Sequence, residues 1–295
     1  MTSSERRVAV LGTGKMGSAV ATRLSHAGFD IVLWNRTRSR AEALELGSVA
    51  DTPMLAARNA TFVISSLTGP EAVLAAYLGR DGALAAGGRR HFVEMSTAGP
   101  DLVSDLAVHV GAAGGTLVDA PIVGAPPIVG AGQAAVLVGG ANADVAATIP
   151  VLSAFGTVRH VGPLGSAARL KLVANSMLAD VILAAAELQV AGEEAGLDPG
   201  DVFWVLSRIA PTLDSRRRGY IEDRHAPPMF ALRDLRKDLD LAVDLFGRSA
   251  APTPLTRASS NLVRTAAEAT PDLDITAVAL PYRALGQADP PGVVR

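Results

Sequence analysis

The chain has 295 residues, of which 49% are hydrophobic and 19% charged. That excludes a disordered polymer and leaves room for one large or two ordinary domains. Lysine and arginine number 27 against 29 acidic residues, so no net field draws in nucleic acid or an acidic membrane. Cysteine is absent and the 5 histidines are scattered, which removes thiol chemistry and disulfides and gives no metal-ligand spacing.

A strand is predicted at Val8–Leu11, after a polar N-terminus without a secretory-signal pattern. No apolar run reads as a membrane span, and a cytoplasmic enzyme is expected. Further strands are predicted at Ile31–Trp34, Phe62–Ser65, His91–Glu94, Thr116–Asp119 and Ala135–Gly139. Helical stretches separate them near Gly17–His26, Arg38–Leu46, Ala72–Ala76 and Asp101–Ala113. Strands alternating with helices predict an α/β domain on a doubly wound, mostly parallel sheet over residues 1–162. From Ser166 to Ala195 the pattern becomes one long helix, and helical pieces follow near Pro199–Ile209, Pro228–Arg248, Pro254–Ala269 and Ile275–Leu285. The second domain, residues 163–295, is therefore expected to be all-helical, with a loose tail from Gln287 to Arg295. The repeat of Pro121–Ala125 at Pro127–Ala131 is taken as chance within a glycine-rich loop.

Gly12-Thr13-Gly14-Lys15-Met16-Gly17 follows the first strand and opens the first helix. In that context the glycines serve a tight turn, a close approach to a pyrophosphate and close helix–strand packing, and the helix N-terminus faces the phosphates. The alternative is a tight turn with no ligand. An NAD-selective site would carry an acidic residue at the end of the second strand. Here stand Asn35, Arg36 and Thr37, donors suited to a 2′-phosphate, and NADP is expected over NAD. A solvated basic turn is the plainer reading of the same residues. Ser65, which ends the third strand, and Leu67, just after it, are assigned to the cofactor side.

Five motifs resemble, in order, those of the β-hydroxyacid dehydrogenases, the family of 3-hydroxyisobutyrate dehydrogenase and a relative of 6-phosphogluconate dehydrogenase and the imine reductases. They are Gly12–Gly17, Glu94–Pro100, Asp119–Ala125, Gly162–Gly165 with Lys171 and Asn175, and Lys237–Ala242. The resemblance covers about Arg7 to Leu285. It implies a Rossmann-type cofactor domain and a reaction that passes a hydride between NADPH and a small carbonyl or hydroxy substrate. By resemblance, Lys171 is the general acid/base, Asn175 orients substrate and lysine, Ser96 lies by the nicotinamide and the substrate, and Lys237 closes over the cofactor. Lys171 and Asn175 are four apart and share one helix face, and the apolar stretch around Lys171 is expected to lower its pKa. The plain reading of Lys171 is a surface lysine on an amphipathic helix.

The third motif departs from the family. Val123, Gly124 and Ala125 stand where a serine and two glycines bind a substrate carboxylate, and Pro126–Gly130 resembles an imine-reductase loop. Two alternatives follow: an NADPH-dependent imine reductase, or a protein that binds NADPH without turnover. Arg216–Arg218 reads as a solvated basic face, Asp180 and Glu187 as pairing residues, and Trp204 and Tyr220 as cleft or core. Surplus apolar positions on the long helix predict a homodimer, with the active site between the first domain of one chain and the helical domains of both.

Overall fold

The computed structural model describes residues 6–249 and 252–286, so the expected loose tail from Gln287 lies outside the described residues. Two compact units divide at Leu172/Val173, inside the helix Ser166–Glu194. The sequence places the junction ten residues earlier, where the polypeptide leaves the sheet.

In the first unit a nine-stranded sheet runs in the order β3-β2-β1-β4-β5-β6-β8-β7, with β9 on β8. The strands are β1 Arg7–Leu11, β2 Asp30–Trp34, β3 Ser48–Val49, β4 Phe62–Ser65, β5 His91–Glu94, β6 Thr116–Asp119, β7 Ile122–Val123, β8 Ala134–Gly139 and β9 Gly156–Gly162. Strands β1 to β6 pair in parallel, while β8 runs antiparallel to β6 and β7. Successive side chains take opposite faces. Val8 and Val10 therefore enter one core and Ala9 and Leu11 the other, as a sheet covered on both faces requires.

Register sets the place of everything functional. Trp34, Leu11, Ser65, Glu94 and Asp119 pair across the sheet in one row at its carboxyl edge. The loops that follow them emerge side by side, with a change of winding direction between β1 and β4. A ligand is expected at such an edge.

The missed elements have simple causes. Strand β9 alternates half-buried with exposed residues, so its sequence carries no apolar run. Helix Asn142–Leu152 contains Pro150, and β3 and β7 have two residues each.

The second unit is helical around its own core, with Tyr220, Leu213 and Leu239 buried. The helix expected from Pro228 begins at Leu232. The Asp274 carboxylate accepts the amides of Met229 (2.8 Å) and Phe230 (3.1 Å), which holds that segment out of the helix. Arg216 corrects the expected solvated face: it is 7% exposed, 3.8 Å from Asp274. Tyr220 is core and its hydroxyl donates to the Ile182 carbonyl, whereas Trp204 is exposed. Asp180 accepts from Ser259 at 2.6 Å, a pairing role.

The long helix also corrects the expectation of no membrane-length run: by length and composition alone Ser166–Glu194 is long and apolar enough to cross a bilayer. Half of its most apolar 18 residues are buried inside the protein, as in a core helix. Asp180 and Glu187 break its apolar run, which hid it from a search for uninterrupted stretches.

Candidate functional site

The glycine-rich loop is shaped by contacts at two of its glycines and by open space at the third. Gly12 has φ +99°, and a Cβ there would lie 2.3 Å from the Ser66 carbonyl oxygen. At Gly17 a Cβ would meet the Gly12 carbonyl oxygen at 2.0 Å, whereas at Gly14 it would meet nothing within 4 Å. So Gly12 and Gly17 are required by the protein itself, and Gly14 leaves the approach to the helix Lys15–His26 clear. That helix has no side-chain cap and no acid in its first turn, so its N-terminal amides and dipole face outward. The Thr13 hydroxyl, buried beside them, has no hydrogen-bond partner among the described residues. A clear helix N-terminus with an orphaned hydroxyl fits the pyrophosphate of a dinucleotide.

The turn after β2 is more internally committed than its composition suggests. Asn35 accepts the Thr13 amide at 3.1 Å and donates to the Thr37 carbonyl at 2.9 Å. Its amide thus ties the turn to the glycine loop. Arg38 is bound by Glu42 at 2.7 Å and by Asp51. Arg36 is exposed and forms no ion pair among the described residues, which leaves it as the turn's outward cation.

Beneath the loops lies a buried polar chain that the sequence did not reveal. Ser65 donates to Glu94 Oε2 at 2.6 Å, the Tyr77 hydroxyl lies 2.7 Å from Ser65 Oγ, and Glu94 Oε1 accepts the Ser96 amide at 2.7 Å. Ser96 Oγ in turn accepts the Leu67 amide at 2.9 Å. Burial pushes the Glu94 carboxyl up to about 7, against the opposing hydrogen bonds from Ser65 and Ser96. Burial and the neighbouring Glu94 charge push the Tyr77 hydroxyl well above its ordinary value. Ser65 is fully buried, so its side chain braces the loops from below, and Ser96 and Leu67 are the members nearer the surface.

Asp119, at the end of β6, holds the start of the long helix. Its carboxylate accepts the amides of Gly165 (2.9 Å) and Ala168 (2.7 Å). One turn further on, half-buried Lys171 donates from Nζ to the Ile122 carbonyl at 2.8 Å. That bond sets the amine against the loop carrying Val123, Gly124 and Ala125. In the second unit Asn175 donates to Asp238 Oδ2 and Lys237 to Asp238 Oδ1, both at 2.6 Å. The Asp238 side chain is 2% exposed, so one buried carboxylate joins the two residues expected to bind ligands. From sequence alone Asp238 reads as a residue that caps or pairs structurally beside Lys237.

Residues 7–163 match the family described as the NAD binding domain of 6-phosphogluconate dehydrogenase. Residues 165–282 match the NAD-binding region of NADP-dependent 3-hydroxyisobutyrate dehydrogenase. The chain belongs to this dehydrogenase family. Its members named here are NAD(P)-dependent hydroxyacid dehydrogenases. The chain is 28% identical over 280 residues to glyoxylate/succinic semialdehyde reductase 1 of Arabidopsis thaliana, covering 92% of this chain and 96% of the relative. Among solved structures it matches the 3-hydroxyisobutyrate dehydrogenase of Mycobacterium tuberculosis with L-serine, at TM-score 0.81, 25% identity and coverage of 94% and 99%. The imine reductase of Streptomyces aurantiacus also matches, at TM-score 0.63, 25% identity and the same coverage. The dehydrogenase family thus carries the fold expected from the sequence: a mostly parallel cofactor sheet followed by a helical region.

Proposed function

We propose that this dehydrogenase is an NADPH-dependent reductase of small carbonyl compounds, working through proton transfer by Lys171. The observation that carries the reading is the Lys171 amine seated on the Ile122 carbonyl, in the same unit as the open glycine loop. Thr13, Gly14, Lys15, Met16 and Gly17 would hold the pyrophosphate, with Ser96 and Leu67 nearer the nicotinamide. Arg36 would face the 2′-phosphate, since a guanidinium matches phosphate geometry and no acidic side chain pairs with it among the described residues. When bound, NADPH supplies the hydride for the carbonyl carbon.

Proton delivery falls to the chain. Lys171 Nζ gives a proton to the oxygen as negative charge develops there, and takes it back in the oxidative direction. The Ile122 carbonyl fixes the amine's position, and Asp119 fixes the helix that carries it. Asp238 holds the Asn175 amide, whose remaining hydrogen-bonding capacity orients the substrate. Holding donor and acceptor in place supplies much of the rate enhancement.

Lys171→Ala tests the reading: it should lower kcat by about a hundredfold or more with NADPH binding intact, and full turnover would refute it. The imine-reductase alternative is supported by the missing serine in the loop at Val123; steady NADPH oxidation with cyclic imines and none with aldehydes would establish it. NADPH binding without turnover of either would instead mark a cofactor-binding protein without catalysis.

Cytoplasmic location and a homodimer belong to the same proposal. Exposed Val173, Met177 and Leu188 on the long helix, with Ile209 at 81% exposure, support a partner copy. Light scattering should give twice the chain mass, and a monomer would contradict it.

A further inference from the structure

The loop against Lys171 is unable to offer an anion what an anion needs. Residues 121–130 contain no hydroxyl, amide or cationic side chain. The short helix Pro126–Gly130 opens with two prolines, which have no N–H. The next two amides, of Ile128 and Val129, are both spent on the Ala125 carbonyl, at 2.9 and 3.2 Å. Between β7 and that helix, only Gly124 and Ala125 carry backbone N–H groups. Meanwhile Ile122 turns into the core, and Val123 and Ile128 stand exposed at 38% and 41%. Val123, one residue from the lysine's anchor, and Ile128, six residues from it, make an exposed apolar wall, and a carboxylate placed on it would lose its water without gaining partners from these side chains.

We propose that Val123, Ala125, Pro126, Pro127 and Ile128 set specificity for neutral carbonyl compounds, aldehydes or ketones carrying an apolar substituent, over short oxo acids. The proposal rests on the reading of Lys171 as the proton donor to the same substrate. The wall receives the substituent, and the carbonyl oxygen points to Lys171 Nζ.

The test compares isohexanal with succinic semialdehyde, which differ by an isopropyl group against a carboxylate of similar shape. With wild-type protein and NADPH, kcat/KM should be at least about tenfold higher for isohexanal. The variant Val123→Ser/Pro126→Ala/Pro127→Ala restores a hydroxyl and two N–H groups and should move that ratio at least about tenfold toward succinic semialdehyde. A wild-type preference for succinic semialdehyde, or an unchanged ratio in a folded variant, overturns the proposal. If neither aldehyde is reduced, carbonyl reduction itself fails, and the wall is read separately from the melting temperature of the NADP+-loaded wild-type protein. A larger rise with isohexanol than with γ-hydroxybutyrate supports the wall. An equal or smaller one overturns it.

Discussion

Glu94 makes the stability of the first unit depend on pH in a direction opposite to most carboxylates. Its side chain is 1% exposed and its pKa rises from 4.5 to about 7 on burial. The folded state therefore holds a proton that the unfolded chain gives up between those values. The sign follows: stability from this group is fully present below about pH 4.5 and is lost as pH rises through about 7. The interval from 4.5 to about 7 corresponds to about 3 kcal/mol, at roughly 1.4 kcal/mol per pH unit. Glu94→Gln is the perturbation, because its amide oxygen still accepts the Ser96 N–H while its nitrogen stands in for the neutral acid. The variant should match the wild type within about 1 kcal/mol at pH 5 and exceed it by about 3 kcal/mol above pH 8. Urea unfolding at both pH values measures the difference, and other titrating groups cancel in the comparison. The chain has 2 tryptophans, Trp34 on β2 and Trp204 in the second unit, so fluorescence in a Trp204→Phe background reports the first unit alone. A wild-type-minus-variant difference constant across that range would refute the buried-acid argument, as would a wild type that gains on the variant with rising pH.

The remaining predictions concern the cofactor edge. Arg36→Ala should raise the NADPH Michaelis constant about tenfold or more and leave that for NADH nearly unchanged, since one charged hydrogen bond is removed; equal effects on both would remove Arg36 from the 2′-phosphate. Gly17→Ala should destabilise the first unit by more than about 2 kcal/mol in urea unfolding, because its methyl would have to displace the Gly12 carbonyl. Gly14→Ala should cost less than about 1 kcal/mol, since its methyl meets open space, yet it should weaken NADPH binding measured by fluorescence titration. Equal stability losses at Gly14 and Gly17 would contradict the division of labour drawn between them.

The alternation of apolar strands and amphipathic helices determined the sheet by itself, because burial on both faces demands continuous apolar runs, and all six strands assigned from sequence differ from the structure by at most one residue at either end, with Phe62–Ser65, His91–Glu94 and Thr116–Asp119 matching in full. Glycine spacing likewise marked the loop at Gly12–Gly17, because backbone crowding leaves only glycine acceptable at two of its positions. The motif resemblance to the β-hydroxyacid dehydrogenases marked Lys171, Asn175 and Lys237 as residues to watch. What it left undecided were the contacts that span long stretches of chain. Asp119 meets Gly165 across 46 residues, Asn175 meets Asp238 across 63, and Ser65 meets Glu94 across 29. No periodicity encodes those pairings. They exist because parallel register lines up the ends of β1, β4, β5 and β6, and because a buried carboxylate must find donors wherever the packed chain supplies them. The tertiary structure thus decided which acidic residues brace the site, and which of the turn's arginines is left exposed without an ion pair among the described residues.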